Sequence, residues 1–276
     1  MRCGLALPTG GKCADPGFLV ALACLAESSG WDGVFLEDYI CFQGDPTAPT
    51  CDPWVALAAI AARTTAVRLG TIVTPLARRR PWKVAREAVG IDLLSGGRMV
   101  LGVGLGDTGE HVIDDASFSA FGEVRDPRVR ARMLDEALDL VAGLLTAEPF
   151  SFAGEHYAVG DVVFRPAPVQ RPRIPIWVGG GYPYRGPVSR AARWDGCCLY
   201  RAETHDLQAE DIAALRAAAG DRRYDICVGG RERRDGDLQW LASLAAAGAT
   251  WWTEYVEAAD RRTMCEVVRR GPLRIN

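Results

Sequence analysis

The chain has 276 residues, 24% of them charged, and a formal net charge of −3, so it offers no electrostatic case for binding nucleic acid. Its 49% apolar content suits a globular protein with a sizeable core, and apolar runs such as Val55 to Ala62 are far below a membrane span. Nine cysteines, at 3, 13, 24, 41, 51, 197, 198, 227 and 265, form no C-x-x-C pair. That pattern argues for a reducing cytoplasm and against a zinc site or a disulfide framework.

The predicted elements alternate along the chain. A strand at Cys3–Leu7 is followed by a helix over Pro16–Ser29, which Asp15-Pro16 opens and Gly30 closes. A strand at Gly33–Leu36 precedes a helix opened by Asp52-Pro53, and the strand Arg68–Val73 precedes one opened by Pro81 and closed by Gly96. The fourth strand, Met99–Val103, leads to a helix over Val129–Thr146 behind Asp126-Pro127. An aspartate before a proline at the first helical turn caps free N–H groups, and a glycine just past the last turn closes a helix cheaply. Strands at Ile174–Val178, Cys197–Tyr200, Asp225–Val228 and Thr250–Tyr255 follow, each ahead of another helix. Those helices are one opened near Pro187, then Leu207–Ala219, Asp237–Ala247 and Glu257–Arg270. Gly220, Gly248 and Gly271 close the last three.

Eight strands that each precede a helix imply a parallel sheet with right-handed crossovers, and eight closes a barrel. The reading is an α/β chain forming a single (β/α)8 domain over residues 1–276. A small hairpin and a proline-rich strap, "PFSFAGEHYAVGDVVFRPAPVQRPRIP", are inserted between the fourth and fifth strands.

The stretch "SGGRMVLGVGLGD" and the two residues after it hold Gly104, Gly106 and Gly109, a G-x-G-x-x-G after a strand. A dinucleotide-binding turn needs a helix to open at the third glycine and hold the pyrophosphate. Here "EHVIDDASFSAFGEVRDP" follows, with no helical stripe before Pro127. The motif therefore does not define a nucleotide-binding turn. In a barrel the same glycines lie at the active face, where they either let a flat ring approach the backbone or merely fit a tapered mouth.

The stretches "LAESSGWDGVFLEDY", "DPWVALAAIAARTTAVRLGTIVTPLARRRPWKVAREAVGIDLLSGGRMVLGVGLG", "RMLDEALDLVAGLLTAEPFSFAGEHYAVGDVVFRPAPVQRPRIPIWVGGG" and "AARWDGC" resemble the luciferase-like monooxygenase family. They cover most of residues 3 to 198, in the family's order. The resemblance implies a (β/α)8 barrel, in agreement with the strand count, and a homodimer. It also implies a loosely held flavin: reduced FMN supplied by a flavin reductase and reacting with oxygen, or the deazaflavin coenzyme F-420 carrying hydride. A non-prolyl cis peptide that props the ring falls, by position, between Ile72 and Val73. Many relatives carry a histidine beside the ring after the second strand. Here Glu37-Asp38-Tyr39 puts Tyr39 there, and no imidazole is available to exchange a proton near neutral pH.

On this reading Gly104 and Gly106 make room near the ring, and Gly179, Gly180 and Gly181 form a backbone nest for a phosphate. Gly229-Gly230-Arg231 and Arg201 are further anion candidates. Asp38 and Asp107, at the ends of the second and fourth strands, are the catalytic candidates for proton exchange, unless they only bond loop N–H groups. His111 reaches over the mouth, whereas His156 and His205 are solvated. No residues have metal-ligand spacing. The expected activity is a flavin-dependent monooxygenase acting with reduced FMN and oxygen on a small organic substrate. The alternatives are an F-420-dependent hydride-transfer oxidoreductase and a flavin-binding protein without catalysis. Loops 40–51 and 107–126 would set the substrate.

Overall fold

The structure, a computed structural model, describes residues 1–106 and 116–275. Its strands are β1 (Arg2–Leu7), β2 (Gly33–Leu36), β3 (Arg68–Thr71), β4 (Thr74–Pro75), β5 (Met99–Gly104), β6 (Pro149–Ala153), β7 (Ala158–Val163), β8 (Ile176–Tyr182), β9 (Gly196–Arg201), β10 (Asp225–Arg231) and β11 (Trp251–Tyr255). The helices are α1 (Pro16–Ser28), α2 (Pro53–Arg63), α3 (Pro81–Ser95), the short α4 (Ala116–Ser119), α5 (Pro127–Leu145), α6 (Arg185–Ala191), α7 (Ala209–Ala219), α8 (Asp237–Ala246) and α9 (Arg261–Arg269).

All the barrel pairings are parallel, in the order β3-β2-β1-β11-β10-β9-β8-β5-β4, and a β3–β5 pairing closes the ring. The third barrel strand is broken: β3 pairs with β5 at Leu69–Met99 and Gly70–Val100, and β4 resumes the pairing at Thr74–Val103. The expected capping holds. Asp15, Asp52 and Asp126 each accept backbone N–H groups from the first turn behind a proline. Gly30, Gly96, Gly220, Gly248 and Gly271 all take positive φ. The expected insertion is the antiparallel β6–β7 hairpin and the strap that follows. Buried Asp92 on α3 pins the strap, accepting from Val169 N (2.7 Å), Gln170 N (3.1 Å) and Gln170 Nε2 (2.8 Å).

Strand alternation sorts the core into two layers. Leu5, Leu7, Val34, Leu36, Leu69, Leu101, Ile176 and Ile226 face the helices. Phe35, Val100, Trp177, Cys227 and Trp251 fill the barrel interior. Phe35 lies 5.4 Å from Trp177 and 5.7 Å from Trp251, ring centre to ring centre, and the two indoles lie 5.6 Å apart. These rings plug the barrel, as expected of a filled interior. Among the described residues no helix is long and apolar enough to cross a membrane.

The closing seam tolerates no side chain on two of its residues. A Cβ at Gly70 would lie 1.9 Å from the Val100 carbonyl oxygen, and one at Gly102 would lie 2.0 Å from that of Thr71. Both obstacles are backbone, which cannot swing aside. Gly102→Ala should therefore cost about 3 kcal/mol of unfolding free energy, the upper end of ordinary overpacking. Gly90→Ala, inside α3 with nothing within 4 Å of its would-be Cβ, should instead gain about 1 kcal/mol from helix propensity. Urea unfolding of both variants checks the opposite signs.

Candidate functional site at the barrel mouth

At the end of β2 the alternation decides which carboxylate faces the mouth. Phe35 points to the axis while Val34 and Leu36 face the helices; Glu37 follows Phe35, and Asp38 turns outward. The Asp38 side chain is fully buried. It accepts from Arg79 Nε (2.9 Å) and Nη2 (2.7 Å), from Thr74 Oγ1 (2.8 Å) and from Trp54 Nε1 (3.4 Å). Arg78 also lies 3.5 Å from this carboxylate and donates to the Asp38 carbonyl. Burial alone would lower the Arg79 pKa, but the charge and hydrogen bonds of Asp38 together with the charges of Asp52 and Glu87 raise it. In this arrangement the Asp38 oxygens tie β2 to β4 and to the start of α2.

Removing one partner of a buried pair strands the other charge. Asp38→Asn should therefore cost about 3 kcal/mol of stability while leaving ligand titration curves of the folded protein nearly unchanged. Denaturant unfolding beside a binding titration separates this from a proton-exchange role, which would leave stability intact.

The Ile72–Val73 peptide is cis, at the position the family resemblance implies. It lies in the break between β3 and β4, and Ile72 packs on the interior cluster. The Val73 side chain occupies the gap between two glycines. A Cβ at Gly104 would lie 2.7 Å from Val73 Cγ2, and one at Gly179 would lie 2.8 Å from Val73 Cγ1. Gly106 has φ +74 and faces the Phe118 ring, 2.7 Å from its would-be Cβ. The space these glycines leave is thus taken up by Val73 and Phe118.

The triple glycine also departs from expectation. β8 runs through Gly179, Gly180 and Gly181 to Tyr182, in register with Cys198, Leu199, Tyr200 and Arg201 of β9. A nest needs successive N–H groups turned to one point by alternating right- and left-handed residues. Here the backbone is a paired strand, and Pro187 and Tyr184 crowd Gly180 and Gly181. The neighbouring arginines are already paired. Arg201 grips Asp211 (2.8 and 2.6 Å). Arg231 bridges Asp206 (2.7 Å) and Asp237 (2.8 Å). Burial pushes the carboxyls of Asp211 and Asp237 up, but their arginines and the backbone N–H groups of Gln208 and Arg234 together hold both below the ordinary value. These pairs thus add stability above the usual carboxylate range and lose it as pH falls through the lowered values.

Tyr39 packs edge-on against Phe42, 5.6 Å between ring centres. His205 stacks on Tyr200 at 5.6 Å, and burial lowers its pKa. His156 is mostly covered, with an 18% exposed side chain, rather than solvated. It approaches Glu136 and Glu155 closely enough to suggest a metal site. However, the Glu136 oxygens accept the backbone N–H groups of Glu155, His156 and Tyr157, so the group is a clamp on the hairpin turn. Asp107, Gly109 and His111 lie outside the described residues.

Glu37 and Tyr255 also stand at this end of the barrel, since Phe35 as an interior residue puts position 37 on the same side. Ala6 of β1 pairs with Phe35 on one side and with Tyr255 on the other, which brings the ends of β2 and β11 to the same height. Burial first, and then the Glu37 charge, push the Tyr255 phenol pKa up, so it stays protonated and able to donate.

A closed parallel barrel with polar side chains at the C-terminal ends of its strands defines the (β/α)8 fold. The chain belongs to the luciferase-like monooxygenase family, whose model matches residues 1–232. It is 34% identical over 208 residues to an F-420-dependent glucose-6-phosphate dehydrogenase of Kineococcus radiotolerans, covering 73% of this chain and 58% of that protein. It is 29% identical over 253 residues to an F-420-dependent hydroxymycolic acid dehydrogenase of Mycobacterium tuberculosis, covering 91% of this chain and 67% of that one. The chain thus spans little more than half the length of the first of these relatives. A coenzyme F-420-dependent tetrahydromethanopterin reductase from Methanopyrus kandleri superposes with a TM-score of 0.74 at 16% identity, covering 98% of this chain and 97% of that one. A monooxygenase from Streptomyces bottropensis does so at 0.71 and 23% identity, with the same coverage. Those two likenesses are of fold. The names of these relatives and neighbours include F-420-dependent dehydrogenases, an F-420-dependent reductase and a monooxygenase.

Proposed function

We propose that the chain is a deazaflavin-dependent oxidoreductase moving a hydride between coenzyme F-420 and a hydroxyl-bearing carbon of a small organic substrate. The observation that carries the ring site is Val73, held between Gly104 and Gly179 behind the cis Ile72–Val73 bond. It sets an aliphatic wall between the ends of two strands, and Tyr39, Glu37 and Tyr255 stand at the ends of β2 and β11 on the same side of the barrel. An apolar wall with few, placed polar groups suits a planar ring with polar edges. The names of the two curated relatives support the deazaflavin over FMN and a hydroxyl-bearing substrate over oxygen insertion. When bound, the deazaflavin supplies hydride acceptance. Of the residues named here, Ile72, Val73 and Tyr39 would hold the ring. The phosphate end has no nest at Gly179–Gly181, so its place is better sought beyond the ends of β9 and β10.

Anaerobic titration with F-420 and with FMN tests this. F-420 should bind at least about tenfold more tightly, a difference of 1.4 kcal/mol. The loaded protein should then lose the absorbance of the oxidised deazaflavin with 2-propanol or glucose 6-phosphate as donor. Oxygen uptake coupled to product formation with reduced FMN, and no reduction of F-420, would return the reading to a monooxygenase. Retention of either ligand with no turnover would make it a binding protein.

A homodimer is part of the same proposal. A groove of about 260 Å³ runs between α2 and α3, lined by Trp54, Val55, Ala58, Gly90, Ile91 and Leu94 with Glu87 as its one charged residue. Val55 and Leu94 beside it are 62% and 57% exposed. A second copy covering this face would remove that apolar surface from water. Val55→Asp should shift the protein from dimer to monomer in light scattering. A monomeric wild type would remove this part of the proposal.

A further inference from the structure

We propose that His205, stacked on Tyr200 at the rim of the mouth, is the base that takes the substrate's hydroxyl proton. The inference rests on the hydride-transfer reading. When a hydroxyl-bearing carbon is oxidised, its C–H hydrogen leaves with the electron pair, as hydride, to the oxidised deazaflavin. The O–H proton leaves separately, and the C–O single bond becomes C=O. That proton needs an acceptor, and after β2 only Tyr39 stands where many relatives carry an imidazole.

β9 carries the support of a different imidazole up from the Val73 wall. Gly179 of β8 is in register with Cys198 of β9. A Cβ at Gly179 would lie 2.8 Å from Val73 Cγ1 and 3.3 Å from Cys198 Sγ, so the thiol stands at the height of that wall. Cys198 packs on the interior cluster, and strand alternation turns Tyr200, two residues on, to the same side. Tyr200 therefore stands about 7 Å of strand further out than the wall, and it is 42% exposed.

His205 folds back over this ring. Its N–H donates to the Arg201 carbonyl (2.8 Å), and the Arg201 N–H donates to its carbonyl (3.2 Å). The turn so closed holds His205 at φ +64. Its imidazole stacks on Tyr200 at 5.6 Å with 17° between the planes. Gly230, at the end of β10, flanks the other side: a Cβ there would lie 3.5 Å from Cε1 and 3.8 Å from Nε2.

The imidazole is open where the carboxylates around it are taken. Asp38, Asp206, Asp211, Asp237 and Glu254 are each tied to an arginine. Among the described residues no hydrogen bond engages either ring nitrogen of His205; Asp206 comes to 4.0 Å from Nδ1 but bonds Arg231. Burial lowers the His205 pKa, Asp206 opposes that, and Arg231 and Arg234 add to it. The ring is therefore neutral at pH 7 and able to accept a proton. Its side chain is 43% exposed, so the proton can pass on to water.

Two measurements test the role. In the ligand-free protein, the ring carbons of His205 are followed by NMR through a pH titration, assigned by their loss in His205→Asn. Asparagine tolerates a positive φ, and its amide takes up no proton near neutral pH. Tyr200→Ala should move the midpoint up towards the ordinary histidine value, because the imidazole loses its cover. An unmoved midpoint would overturn the stacked placement. In the F-420-loaded protein, His205→Asn should slow single-turnover hydride transfer from 2-propanol or glucose 6-phosphate by about 100-fold or more, as for loss of a general base. Its F-420 affinity should stay within about threefold. The wild-type rate should fall as pH drops through the His205 midpoint read by NMR, and that fall should vanish in His205→Asn. Undiminished transfer in His205→Asn, or a fall that survives it, would overturn the role. A collapse of F-420 affinity would make His205 a binding residue and overturn it as well. Wild type that binds F-420 but oxidises neither donor would overturn the hydroxyl substrate and this role with it. Wild-type protein that fails to bind F-420 would sink the proposed function itself, and the role with it.

Discussion

The barrel closes only because two backbones meet without side chains between them. At the seam of β3 and β5, the carbonyls of Val100 and Thr71 lie where the Cβ atoms of Gly70 and Gly102 would stand. Pairing there lasts for two residues before β3 breaks, and β4 takes over two residues later. The break places Ile72 against the interior rings and Val73 between Gly104 and Gly179. The ring of strands, the position of the break and the wall at the mouth all follow from this one close approach.

Ion pairs then fix what lies above the ring. Arg201 with Asp211 and Arg231 with Asp237 fasten a strand end to the helix that follows, while Asp38 with Arg79 and Glu254 with Arg233 tie a strand to the segment after a neighbouring strand. Such partly buried pairs add little net stability over an apolar substitute, but a missing partner is costly, so they hold loops in one arrangement. They also consume the carboxylates and guanidinium groups that the sequence offers as ligand-binding candidates. A mouth crowded with charges on paper therefore presents few of them to a ligand.

The sequence made the barrel legible because its signals are local. Asp-Pro starts and glycine stops need only a helix to act on, and every one of those named above is used as expected. The site was harder to read for reasons of phase and context. Asp38 and Glu37 differ by one residue, which in a strand is the difference between the two faces. Gly179–Gly181 looks like a loop because glycine marks turns, yet β9 offers a partner at every position and the strand runs on. The cis bond at Ile72–Val73 has no signal in its residue types, and only the family resemblance placed it.

The plug of Phe35, Trp177 and Trp251 gives the barrel a single door. With the strap pinned by Asp92 and the interior filled, the described residues leave no route through the axis. Whatever occupies the mouth must enter and leave past the same loops. Of two ligands that share it, the one seated against Val73 lies beneath the other. Association then has a compulsory order, the deeper ligand first in and last out, and an excess of the outer ligand traps the inner one. The protein's kinetics would carry the imprint of a dead end at the opposite face of the barrel.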